Sequence, residues 1–97
     1  MKLRQLEYIC EVARRGLNVS NVAEILHTAQ PGISTQIRLL EEELKIQIFE
    51  RNGKRLVGIT QPGQTIVAMA EKILREVDDI KQVGSEFSQE DTGTFSI

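Results

Sequence analysis

The residues able to do covalent or acid–base chemistry are few and poorly matched. One cysteine, Cys10, and one histidine, His27, are all the chain has of either type; together they form neither a disulfide nor a zinc set, and both read as structural. Glu41-Glu42-Glu43 places three carboxylates in a row, but successive helical positions point to different sides and no base accompanies them. They read as a solvated helix face. With no paired histidine and nucleophile, no glycine-rich phosphate loop and no metal set, the chain is expected to be neither an enzyme nor the carrier of a cofactor.

Non-covalent recognition fits the residues better. In Gln30-Pro31-Gly32-Ile33-Ser34-Thr35-Gln36 a helix can start only around Pro31, because proline is tolerated in a first turn, where its missing N–H has no intrahelical partner to lose. Gln30, Pro31, Ser34 and Thr35 then stand at the start of that helix. A glutamine amide can bridge adenine N6 and N7, and Ser or Thr can donate, accept or touch a thymine methyl. Arg51, Lys54 and Arg55 cluster around Asn52-Gly53 in a basic turn able to reach phosphates. Ser20, Asn21 and Thr28 at neighbouring helix ends, with Arg38, are further candidates for backbone contacts. Arg38 could equally pair with Glu41 or Glu42 within the helix.

Charge follows the same division. The chain carries a net −2, which by itself argues against a nucleic-acid partner. Residues 1–60 hold nine Lys or Arg against seven Asp or Glu, a net +2, whereas residues 61–97 hold three against seven, a net −4. A mildly basic unit is followed by an acidic one.

The elements that must position these groups can be read from periodicity. Leu3, Leu6, Ile9, Cys10 and Ala13 recur at helical spacing, and Gly16 ends that helix. Ser20 or Asn21 can cap a short second helix whose apolar face is Val22, Ala23, Ile25 and Leu26, ending near His27. The third helix lines up Ile33, Ile37, Leu40 and Leu44 and leaves Ser34, Thr35, Arg38, Glu41 and Glu42 to its other faces. The period then changes: Ile46, Ile48, Val57 and Ile59 alternate around Asn52-Gly53, a hairpin signal in which both central residues take positive φ. The expected fold is mainly α, a winged helix-turn-helix of three helices and a hairpin wing followed by a long helix.

That last helix should run from Pro62 to about Phe87. Ile66, Ile73, Ile80 and Phe87 are spaced by sevens, with Ala70, Val77 and Gly84 interleaved. Three short helices cannot cover an element of that length, so Ile66, Ala70, Ile73, Val77 and Ile80 are expected to pair with a second copy; the spacing leaves parallel and antiparallel arrangements open. Ser85 to Gly93 reads as a polar linker and Thr94 to Ile97 as the start of a strand. The expected division is a winged helix-turn-helix at residues 1–61, a dimerisation helix at 62–88, and a hinge leading to an absent domain at 89–97. No apolar run spans a bilayer and no signal peptide is evident, so a cytoplasmic protein is expected. A competing class is a protein-interaction module whose working part is the long helix.

Several segments in order resemble the LysR-type transcriptional regulators: Val22 to Gln30, Ile33 to Ile37, Leu40 to Leu44, Ile48 to Arg51 and Thr60 to Gly63. Lys45 departs from the pattern, since the family commonly has Gly after the third helix, and a helix end there needs another αL residue or a different cap. Within the family, Met1 to Leu6, Gln30 to Ser34, Ile46 to Phe49 and Gly53 to Leu56 are similar to the CysB subgroup. The resemblance implies double-stranded DNA as partner, an antiparallel helix pair in the homodimer and control of cysteine biosynthesis and sulfur assimilation. It also implies a longer, tetrameric native protein whose C-terminal domain binds an acetylated serine derivative or related signal.

Overall fold

A computed structural model describes the backbone of residues 1–95 and the side chains of residues 1–88. Its elements run α1 (Leu3–Arg14), α2 (Val19–Ile25), α3 (Gln30–Leu44), β1 (Phe49–Asn52), β2 (Arg55–Ile59) and α4 (Gln61–Phe95). The mainly α winged helix-turn-helix expected from the periodicity is the fold observed. Ile9, Val12, Val22, Ile33, Leu40, Ile48 and Phe49 are fully buried, so all three short helices and the first strand meet in one core.

The three short helices end in the same way. Leu17 N–H returns to the Val12 carbonyl at 2.9 Å, Thr28 N–H to Ala23 at 2.9 Å and Ile46 N–H to Glu41 at 3.2 Å. In each case the residue before the donor is left-handed: Gly16 (φ 70), His27 (φ 54) and Lys45 (φ 59). This closure satisfies carbonyls that a helix end otherwise leaves unpaired. Lys45 therefore supplies by itself the αL residue for which glycine would be cheaper, and His27 is a turn residue with an exposed ring.

The cap of α2 differs from expectation. Asn18, not Ser20 or Asn21, is the N-cap, its side chain accepting from Asn21 N–H at 3.0 Å. Ser20 and Asn21 lie inside the first turn. Leu17 before the cap and Val22 in the fourth helical position both join the core, as a hydrophobic staple places them. Thr28 lies one residue before Ala29, the N-cap of α3, whose first turn receives no side-chain cap.

The hairpin turn is also one residue later than expected. Asn52 pairs with Arg55, so Gly53 and Lys54 are the central residues, and of Asn52 and Gly53 only Gly53 has positive φ. Glu50 faces Gly58 while Arg51 faces Leu56, which leaves Val57 as a bulge. The bulge reverses the alternation. Leu56 is buried and Val57 is 52% exposed.

Thr60 ties the hairpin to α4. Its N–H donates to Ile48 O at 3.0 Å, its hydroxyl reaches the Gln47 carbonyl, and its Oγ1 accepts from Gly63 N–H at 3.0 Å. A side chain at Gly63 would collide with the Ile48 backbone carbonyl. From there α4 continues as one helix through Phe95. The linker expected at Ser85–Gly93 is helical, since that segment has no proline and its Ser, Gln and Glu residues cost a helix little. Thr94 and Phe95 are helical rather than the start of a strand, and the remainder of that segment lies outside the described residues.

The contrast between two glycines of α4 gives a direct check. Gly63→Ala should destabilise the fold by about 1–3 kcal/mol or more, because a backbone carbonyl cannot move aside as a side-chain end can. At Gly84 a Cβ meets nothing within 4 Å, and Gly84→Ala should stabilise by about 0.5–1 kcal/mol through helix propensity alone. Denaturant titration of both variants measures the two signs, and a neutral Gly63→Ala would contradict the close approach of α4 to the hairpin.

Candidate nucleic-acid interface

α3 buries one stripe and offers the other. Ile33, Ile37 and Leu40 are inside, while Gln30, Pro31, Ser34, Thr35 and Arg38 are exposed. Ser34 and Arg38 follow Gln30 at intervals of four, so the three share a face, with Pro31 and Thr35 alongside. Gln36 turns to the flank instead, where its Oε1 accepts from Gln5 Nε2 at 3.1 Å. Gln5 itself is buried and accepts from Lys2 N–H at 2.9 Å, closing the N-terminus of α1.

The wing is held against this helix by a buried carboxylate. Glu41 belongs to the core-facing side, 8% exposed, contrary to its expected place on a solvated face. Its Oε2 accepts from the backbone N–H groups of Ile48 at 2.8 Å and Phe49 at 3.2 Å, and its Oε1 pairs with Arg51 Nη2 at 2.7 Å. The position was there to be found, since residue 41 lies one turn past Ile37 on the apolar stripe. A charge so placed is buried only when paired. Arg51 is accordingly not at the hairpin tip. It lies on β1 with its guanidinium committed to Glu41, and Lys54 and Arg55 are the cations left at the turn.

The turn and the helix-turn-helix border one hollow. A concavity of about 450 Å³ is lined by Asn18 and Ser20 of the α2 entry, Gln30 of α3, and Lys54 and Arg55 of the wing. Across it, Ser20 Oγ donates to Gln30 Oε1 at 2.7 Å. Asn21 and Thr28 are exposed but do not line it. Among the described residues Arg38, Lys54 and Arg55 have no carboxylate within ion-pair distance, whereas Arg14 and Arg15 are both bound to Glu11. The cations nearest α3's exposed face are thus free to meet phosphate, and Arg38 is not paired with Glu41 or Glu42.

The residues expected to pair with a second copy divide between two stripes. Gly63, Val67 and Ala70 are buried and Leu74 and Val77 half-buried, a face turned toward α1, where Cys10 Sγ lies 3.8 Å from the Val67 carbonyl oxygen. Ala70, at 1% exposure, is part of its own protomer's core and is not available to a partner. The outward stripe is Met69, Ile73, Ile80, Val83 and Phe87, with Ile73 41% and Ile80 69% exposed, while Ile66 at its edge is half-buried against the core. Its second series is thus 69 and 83 rather than 70, 77 and 84, about 100° further round the helix. Burial, with Glu71 nearby, pushes the Cys10 thiol up to about 11, so it stays protonated and unreactive at neutral pH.

Among the described residues there is no helix long and apolar enough to cross a membrane. What the arrangement defines is a winged helix-turn-helix: a recognition helix exposed along one face, a basic hairpin beside its start, and a long helix leading away. The bacterial regulatory helix-turn-helix proteins of the lysR family match residues 3–64, and the chain belongs to that family, as the DNA-binding portion of a regulator and not as an enzyme. It is 41% identical over its whole length to the HTH-type transcriptional regulator CysB of Burkholderia cenocepacia and 42% identical to the HTH-type transcriptional regulator cbl of Escherichia coli. It spans about a third of their length, 31% of each. In structure it is similar to BenM_DBD in complex with catB site 1 DNA, with a TM-score of 0.82 at 34% identity over 92% of this chain and 94% of that one. CbnR_DBD in its DNA complex gives 0.79 at 30% identity, over 91% and 99% of the two chains.

The free cations of the wing set an electrostatic expectation. Replacing Lys54 and Arg55 together by Ala should weaken binding to all duplex sequences and flatten the slope of log affinity against log salt by up to about two units per bound copy. Titrations at several salt concentrations measure it, and an unchanged slope would make the turn ordinary solvated surface.

Proposed function

We propose that this chain reads an interrupted dyad in double-stranded DNA with two copies of α3, as the DNA-binding part of a CysB-like regulator of cysteine-biosynthesis and sulfur-assimilation genes. The observation that carries the DNA reading is the shared hollow, where the start of α3, the entry of α2 and the wing's two free cations converge. In this reading Gln30, Pro31, Ser34 and Thr35 meet base edges in the major groove. Asn21, Thr28, Arg38, Lys54 and Arg55 contact the backbone, Ser20 has its hydroxyl engaged with Gln30, and Arg51 serves through Glu41 by holding the wing. The sulfur assignment is supported by the similarity to CysB and cbl over the full chain. The segment that responds to a small-molecule effector lies in a further domain, and the intact protein is a tetramer.

The test of specificity is a gel-shift competition between upstream DNA of sulfur-assimilation genes and random duplex. Wild-type chain should prefer the former, and Gln30→Ala should lose about 1–3 kcal/mol on the preferred site and much less on random DNA. Equal losses on both would reduce Gln30 to a backbone contact. No preference at all would remove the sulfur-gene reading.

Two half-sites require two linked copies. Burying the outward stripe of α4 against a second chain supplies the link, with residues 62–88 as the dimerisation segment and Ile66, Ile73 and Ile80 at its centre. An Ile73→Asp substitution forfeits on the order of 1 kcal/mol of remaining apolar burial per copy and adds the cost of desolvating a carboxylate. Analytical sedimentation should show the wild type as a dimer and this variant as a monomer, with operator affinity lowered by orders of magnitude. A monomeric wild type at tens of micromolar, or a variant that stays dimeric, would defeat the proposal.

A further inference from the structure

The hydrogen bond between Ser20 and Gln30 joins two residues that stand ten apart in sequence, on different helices, at the mouth of the hollow. At 2.7 Å from oxygen to oxygen it has the length of a well-formed O–H···O bond. Both side chains are exposed. Gln30, as the first residue of α3, has no preceding helical turn to confine its three side-chain torsions, and Pro31 after it fixes the backbone but not the amide. Ser20 is placed for the contact by its backbone, because the Asn18 cap holds the first turn of α2 through Asn21 N–H at 3.0 Å.

We infer that Ser20 is a positioning residue for base recognition, fixing which way the Gln30 amide faces. Its hydroxyl proton engages Oε1, so the Nε2 donors and the second lone pair of Oε1 are turned outward as one oriented set. A free glutamine amide can present donor or acceptor by rotating through half a turn and thereby accept more than one base pair. One held at Ser20 keeps its amide in one place relative to the groove, which narrows the base pairs it can reach. The clamp also removes rotamer freedom before binding, so less is lost on the DNA. The role differs from a phosphate contact by Ser20, which would act alike on every sequence.

This inference rests on the DNA-reading function proposed above, and its test separates the two. A pool of duplexes randomised across two half-sites is selected with the wild-type chain, and the selected duplex and a scrambled duplex are then titrated with wild type, Ser20→Ala, Ser20→Thr, Gln30→Ala and the Ser20→Ala/Gln30→Ala pair. Ser20→Ala should lose about threefold to tenfold on the selected duplex, the span of one neutral hydrogen bond, and almost nothing on the scrambled one. Discrimination should relax at the same base pair as in Gln30→Ala. The double variant should be no weaker than Gln30→Ala alone, and Ser20→Thr, which keeps the hydroxyl, should restore the wild-type preference. Equal loss on both duplexes would overturn the inference in favour of a phosphate contact, and additive single losses would show that Ser20 does not act through Gln30. If wild type itself shows no salt-dependent binding to any duplex, the DNA reading fails first.

Discussion

The geometry of the recognition surface depends on one buried carboxylate. Glu41 is the point at which α3 takes hold of the segment leading into the wing, receiving two backbone N–H groups and a guanidinium. Phe49 and Ile48 are fully buried beside it, so the turn must bring two backbone donors into a region with little water. Each such donor costs about 1–3 kcal/mol if left unpaired, and a buried carboxylate without partners costs more. The cluster is stable only when complete. The apolar contacts of Ile48 and Phe49 are larger in area but non-directional, whereas the three hydrogen bonds set the angle at which the hairpin leaves α3. That angle determines where Lys54 and Arg55 stand relative to Gln30.

A second constraint is the shared way in which the short helices end. Each closes through a left-handed residue, and only the first is glycine. A non-glycine residue in that conformation costs roughly 1 kcal/mol, which His27 and Lys45 bear at the two ends that flank α3. Both turns lead directly into functional elements: His27 into the start of α3, Lys45 into the wing. A tight closure at these sites keeps the connections short and leaves little freedom in the direction of the next element.

Periodic features were legible in the sequence because burial imposes them on the residues themselves. The stripes of α1 and α3, the proline at the start of α3 and the change from a period near four to a period of two all correspond to elements in the structure. What was not legible turned on single positions where two rules compete. Three polar residues in Asn18–Asn21 could each have capped α2, and Leu17 and Val22 framing Asn18 were the deciding signal. Asn52-Gly53 suggested a turn centred on both residues, but the bulge at Val57 shifts the pairing and moves the turn to Gly53-Lys54. Glu41 sat inside an acidic run, which concealed that it occupies a core-facing position. The polar composition of Ser85–Gly93 suggested a break, yet composition without proline does not stop a helix already under way.

The long helix combines two demands that a single apolar stripe could not meet. Gly63, Val67, Ala70 and Leu74 face α1, and their small or slender members let the helix lie close, as the buried Ala70 and the approach of Gly63 to Ile48 show. Met69, Ile73, Ile80, Val83 and Phe87 form a separate outward stripe, and beyond Val77 there is no core left to cover it. An interaction through that stripe would be transmitted rigidly, because the same helix is anchored in the protomer by Thr60 at one end and by Cys10 and Val67 along its length. α1 in turn is tied to α3 through Gln5 and Gln36. The orientation of the recognition helix is therefore fixed with respect to the outward stripe by side-chain packing and hydrogen bonds rather than by a flexible joint. Any partner seated on the stripe would set the separation and angle of the DNA-facing surfaces without touching them.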